Sequence, residues 1–228
     1  MAKKLQNSQN MKAVLFHADG HFGKRYAEGI YEHLVSELKK NLHEFNIPLI
    51  HLTIPDHAAW GDETYFYEVE NVNHVIYNRE KAIVEFLKND ANDKDVYWFC
   101  EPDFRMFKEF PPLETDVCML YRDDPVAMTP AWRLAKKSSL PFFEEALSYF
   151  NKDRLEWHGD TASWVKIHEL MGKPKVGFHE YNGLTVELRS YGHYASRHKY
   201  IYSGQWKGGS KMNIVTDEFK ESLKKGWR

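Results

Sequence analysis

The sequence predicts an α/β fold with a mixed, mainly parallel central sheet flanked by helices. Three observations predict it. Short apolar runs, rich in β-branched and aromatic residues, fall at 12–17, 48–53 and 96–100, as buried strands do. Longer stretches between them carry apolar residues at helical spacing. The resulting order of strand, helix, strand, helix, strand is satisfied by parallel strands joined through right-handed crossovers.

Taken in order, residues 1–11 are polar and are expected to form a disordered leader, because nothing in them offsets the entropy of ordering. One domain is expected over 12–228. The first strand, 12–17, turns at Ala18-Asp19-Gly20 into a helix over 25–45, with Ile30, Leu34, Leu38 and Leu42 on one face. A second strand over 48–53 is followed by an aromatic loop, 55–71. The next helix, 78–88, feeds the strand 96–100. Beyond it the sequence predicts a short strand at 116–121, a helix over 139–150 and another over 161–171. From residue 173 the chain is irregular, aromatic and basic, with strand-like pieces at 183–188 and 200–202. Ligand-binding loops belong in such a region.

Composition narrows the classes. Hydrophobic residues make up 43% of the 228 and charged ones 28%, which excludes a disordered tail and gives a core that needs no staples. No apolar run approaches the roughly 20 residues of a membrane-spanning helix, and the start lacks the apolar stretch of a signal peptide. The expected compartment is the cytoplasm, the host's if the protein is viral. Cys100 and Cys118 lie in apolar runs and read as small hydrophobes.

Glu101-Pro102-Asp103 is the feature that carries chemistry. An acid-x-acid pair leaving a buried strand in extended conformation puts both carboxylates on one side of the backbone. Hard oxygen ligands of this kind suit Mg²⁺ or Mn²⁺, which complete their shell with phosphate oxygens and water. The partner this implies is a diphosphate.

In order and local motif the chain resembles the GT-A class of nucleotide-sugar glycosyltransferases, over roughly residues 11–210. The resemblance implies a hexosyl- or pentosyltransferase using a nucleotide-diphosphate sugar, a uridine nucleotide by analogy. It assigns Ala18, Asp19 and Gly20 to the nucleotide, and Arg79 and Lys81 of Asn78-Arg79-Glu80-Lys81 to phosphate or ribose. Glu101 and Asp103 become the metal motif. Because the class usually has Asp at the first position, Asp103 is the principal ligand. Asp160, in His158-Gly159-Asp160-Thr161, resembles the acid that the class places near the acceptor. His198 and Lys207, in a segment similar to the late His-Gly-Lys motif of retaining members, become a third metal ligand and a diphosphate contact.

Plainer readings exist for each. Asp160 suits the N-cap of the helix that follows, and Lys207 a surface lysine. Arg79 and Lys81 suit a solvated helix face on which Glu80 and Glu85 pair with neighbouring cations. A binuclear metallohydrolase built on His17-Ala18-Asp19-Gly20-His21 and His158-Gly159-Asp160 is a second class. A non-catalytic carbohydrate- or nucleic-acid-binding module is a third, which explains the aromatics and not the acid pair.

The acceptor is read from charge. Residues 189–228 contain Arg189, Arg197, Lys199, Lys207, Lys211, Lys220, Lys224, Lys225 and Arg228 against three acids, on a chain of net charge -2. Interleaved with Tyr194, Tyr200 and Trp206, this pattern suits a polyanion. Hydroxymethylated bases in duplex DNA are one candidate and a lipopolysaccharide-like glycan is another.

Overall fold

The buried runs form a seven-stranded sheet, and three further strands form a second one. The computed structural model describes residues 10–17, 30–55, 57–68, 75–106, 109–121, 128–149, 178–181, 185–188 and 203–206. In chain order these contain β1 (Asn10–Phe16), α1 (Ile30–His43), β2 (Leu49–Thr53), β3 (Glu63–Phe66), α2 (Val75–Asn89), β4 (Asp95–Cys100) and β5 (Phe104–Met106). They continue with β6 (Val117–Tyr121), β7 (Met128–Lys136), α3 (Leu140–Tyr149), β8 (Phe178–Tyr181), β9 (Thr185–Leu188) and β10 (Ser203–Trp206). The larger sheet has the order β3-β2-β1-β4-β7-β6-β8 and the smaller one β5-β10-β9. Strands β3, β2, β1 and β4 run parallel, while β7 is antiparallel to both β4 and β6.

Period-two alternation in the central strands builds two cores. Val14, Phe16, Tyr97 and Phe99 face α2 and α3, where Phe86, Leu87 and Phe143 meet them. Ala13, Leu15, Trp98 and Cys100 face the other way, onto Val35, Leu38 and Leu42 of α1. With both faces covered, the parallel strands read as continuous apolar runs, which is why the sequence shows them clearly. Leu34, Leu38 and Leu42 are buried as predicted. The side chain of Ile30 and the helical start at 25–29 lie outside the described residues, as do the helix predicted at 161–171 and residues 1–9 of the leader expected over 1–11, whose last two residues, Asn10 and Met11, instead open β1. Helix α1 ends in a Schellman arrangement. Asn46 takes a left-handed φ of 57°, and Ile47 and Asn46 donate their N–H groups to the carbonyls of Leu42 and His43.

Four strands correct the sequence reading. Part of the loop expected at 55–71 is the edge strand β3. It is held in place by Gly61, where a β-carbon would come within 2.3 Å of the Glu63 carbonyl and 2.8 Å of the His51 nitrogen. Gly61→Ala is expected to lower stability by about 1–3 kcal/mol, the scale of overpacking; an unchanged urea midpoint would contradict this. Strand β7 was missed because Pro130 interrupts it. The register with β6 jumps there, from Met119 opposite Arg133 to Leu120 opposite Thr129, so the proline sits where no ladder bond to β6 is needed. Strands β5 and β8 have no local signature and exist through distant partners.

Candidate active site

Strand order locates the site. Beyond β1 the chain goes to β2 and β3 on one side and returns to β4 on the other, so the carboxyl ends of β1 and β4 flank a topological switch point, where open α/β sheets bind ligands. Val14 lies opposite Phe99, which puts the exit of β1 beside Glu101. Ala18, Asp19 and Gly20 follow that exit and lie outside the described residues.

The backbone turns at the acidic motif instead of staying extended. Phe104 donates its N–H to the Glu101 carbonyl over 3.1 Å, closing a turn with Pro102 at its favoured second position. The alternation expected of an extended acid-x-acid pair therefore does not apply. Glu101 is partly open, with 17% of its side chain exposed, whereas Asp103 is fully buried. Two further residues hold the turn. Arg105, also fully buried, donates Nη1 to the carbonyls of Pro102 (3.0 Å) and Phe104 (2.5 Å). Burial lowers its guanidinium to about 10 against the raising effect of the Glu37 and Asp103 charges. Asn41 of α1 receives the Met106 N–H at 2.6 Å and donates to its carbonyl at 3.0 Å, acting as a strand partner on the free edge of β5. On the other edge β10 pairs antiparallel, Gln205 opposite Phe104. This places Ser203, Gly204 and Gln205 alongside the strand that follows the motif.

A buried charge network links α2 to the same turn. Arg79 donates Nε to Glu80 Oε1 (2.8 Å), and its Nη1 stands 3.5 Å from Glu101 Oε1. Arg133 of β7 grips Glu80 in a fork, Nη1 to Oε2 at 2.5 Å and Nη2 to Oε1 at 3.1 Å. Burial would raise the Glu80 carboxyl, but the Arg133 and Arg79 charges outweigh it and hold the group below its ordinary value. The solvated helix face is thereby corrected for Arg79 and Glu80, which are 9% and 3% exposed. Lys81 is turned elsewhere, since residues two apart on a helix differ by about 200°. It lines a cleft of about 250 Å³ with Phe66, Tyr67, Glu68, Asn78 and Glu85.

Sequence reasoning missed Arg133, Arg105 and Asn41. Arg133 carried a signal, a charge between Trp132 and Leu134 in an alternating run. Asp160, His198 and Lys207 lie outside the described residues. Cys100 and Cys118 are buried. Burial, with the Asp103 and Glu101 charges, pushes the Cys100 thiol well up, and burial raises Cys118 to about 12; both are protonated packing groups at neutral pH.

The histidines nearest the site pack as rings. His17 stacks between Tyr31 and Trp60, with centroids at 4.4 and 5.1 Å, and His51 stacks on Trp60. His51 Nδ1 accepts the Trp60 backbone N–H and its Nε2 lies 3.1 Å from the His17 carbonyl. Among the described residues no group of three or more His, Cys, Asp or Glu is placed to hold a metal. Glu101 and Asp103 are hard oxygen donors of the kind that suits Mg²⁺ or Mn²⁺, an ion that takes most of its shell from phosphate and water; the turn leaves Glu101 partly open and Asp103 buried. Among the described residues no helix is long and apolar enough to cross a membrane.

No protein-family model and no curated protein matches the sequence. Solved structures do match the fold. A glycosyltransferase involved in glycosylation of the major capsid of PBCV-1 aligns over 92% of this chain and 98% of its own, with a TM-score of 0.58 and 11% identity. An active-site mutant of LgtC aligns over 94% of this chain and 96% of its own, with a TM-score of 0.54 and 11% identity. With its mainly parallel sheet, flanking helices and an acidic turn at the switch point, the chain has a GT-A-like α/β fold.

Proposed function

We propose that the protein is a metal-dependent glycosyltransferase, moving a sugar from a uridine-diphosphate donor to a hydroxyl acceptor. The observation that carries this reading is the position of Glu101-Pro102-Asp103, at the carboxyl end of β4 beside the exit of β1, in a fold shared with sugar-transferring neighbours. A bound Mn²⁺ or Mg²⁺ would supply positive charge to the donor diphosphate as the leaving group forms. Asp103 is the proposed principal ligand, with Glu101 and His198 completing the protein's share. The contact with Arg79 supports giving Glu101 the lesser role.

The other residues bind and orient. Ala18, Asp19 and Gly20 receive the nucleotide, the glycine letting backbone approach it closely. Arg79 and Lys207 add positive charge at the diphosphate, and Lys81 contributes toward the ribose. Asp160 faces sugar and acceptor. It accepts the hydroxyl proton if the anomeric centre inverts, and positions the acceptor if it is retained.

For the acceptor we propose a hydroxymethylated base in duplex DNA, on the strength of the basic, aromatic stretch 189–228. A glycan acceptor is the second reading, favoured by the capsid-glycosylating neighbour. Incubation with labelled nucleotide sugars and Mn²⁺, offered hydroxymethylated DNA and a lipopolysaccharide-type oligosaccharide in parallel, tests both. Label on DNA, falling steeply with salt, is the expected result. Label on the oligosaccharide alone removes the DNA acceptor, and no label or donor hydrolysis in either arm removes the enzyme reading.

A further inference from the structure

We infer that the Glu80–Arg133 pair is a positioning device that presents the Arg79 guanidinium to the donor diphosphate, an inference that rests on the donor reading above. Neighbouring residues on a helix do not face each other, so Arg79 meets the Glu80 carboxylate only in a rotamer that bends the side chain toward its neighbour. That rotamer depends on Glu80 being fixed, because Oε1 accepts both the Arg79 Nε–H (2.8 Å) and an Arg133 donor (3.1 Å).

Arg133 is itself immobilised. It is 1% exposed on β7, between β4 and β6, with its guanidinium carbon 5.8 Å from the centre of the Phe99 ring and 5.4 Å from that of Phe143. The chain of contacts therefore runs from a rigid strand through Glu80 to Arg79, and ends at Glu101. At 3.5 Å this last approach is a charge contact at the limit of a hydrogen bond. The guanidinium stands at the motif, and its planar fork matches the geometry of phosphate oxygens. Because the long side chain is ordered beforehand, less rotamer freedom is lost when the ligand binds.

The pair has little reason to exist for stability alone. A buried ion pair can usually be replaced by apolar residues of similar volume without loss. That allowance supplies the test. Uridine diphosphate with Mn²⁺ is titrated calorimetrically onto the wild type, Glu80→Met/Arg133→Met, Arg79→Ala and the triple variant, with melting followed for each. The double variant, in which the buried Arg79 loses its Glu80 partner, is expected to melt below the wild type while staying folded, and to bind on the order of tenfold more weakly. Arg79→Ala should weaken binding to a similar degree. The triple variant should be no worse than Arg79→Ala, because the pair acts through that side chain. Wild-type affinity in the double variant, or losses that add in the triple, overturns the inference.

Arg133→Lys serves as the second variant. It keeps a charge in the core and loses the fork, so a smaller loss of affinity is expected. If the double variant does not fold, undiminished affinity in Arg133→Lys overturns the inference. A wild type that binds no uridine diphosphate overturns the donor reading first, and is told apart because the variants then have nothing to lose.

Discussion

Asp103→Asn is expected to reduce sugar transfer by roughly 10²- to 10³-fold, the loss that follows removal of one preorganised charge-stabilising group. The substitution keeps the side chain's shape and removes its charge. In the proposed site that charge holds the metal, so stabilisation by uridine diphosphate should also cease to depend on Mn²⁺. Asp103 is fully buried and lies in the field of the Arg105 guanidinium, which gives it a possible purely structural role. The two roles separate cleanly. A variant that melts lower but transfers sugar at the wild-type rate would make Asp103 a partner of Arg105 and nothing more.

The largest effect on stability is expected from Arg133→Met alone. Removing Arg133 takes the two-point fork from Glu80, which is 3% exposed and keeps the Arg79 Nε contact at 2.8 Å, so the loss is expected to reach up to about 3–5 kcal/mol, the scale for a broken buried pair. The pH dependence carries a matching sign. The folded Glu80 carboxyl titrates below its ordinary value of 4.5, so in the wild type its contribution is present above that value and is lost as pH falls through the folded one. Urea midpoints measured across this acidic window should fall in the wild type and change less in Glu80→Gln. A midpoint for Arg133→Met equal to that of the wild type at neutral pH would contradict the account, as would identical acid slopes in wild type and Glu80→Gln.

The elements legible in the sequence are those whose cause is local. Strands β1, β2 and β4 are apolar runs covered on both faces, and α1 and α2 carry apolar residues at helical spacing; both patterns are printed in the residues themselves. Strand β5 is three residues including an arginine, and becomes a strand because β10 and the Asn41 amide satisfy its two edges from far along the chain. Strand β3 depends on the tight approach at Gly61. The site divides in the same way. Glu101-Pro102-Asp103 could be found because it follows a readable strand, although its turn could not. Glu80 was read as a surface partner for nearby cations, since the residue that buries it, Arg133, stands 53 positions away in a strand that Pro130 disguises.

The central claim is that the turn at the end of β4 binds a nucleotide diphosphate through a divalent cation. The most direct measurement is the thermal shift produced by uridine diphosphate with Mn²⁺ and with a chelator, on the wild type and Asp103→Asn. Ligand that binds only the folded state at a hundred times its dissociation constant stabilises by about 2.7 kcal/mol, which amounts to a shift of several degrees in a domain of this size. The account predicts such a shift for the wild type with Mn²⁺, little with chelator, and none gained from Mn²⁺ in the variant. Equal shifts with Mn²⁺ and with chelator, or a shift in the wild type that Asp103→Asn fully retains, would contradict it.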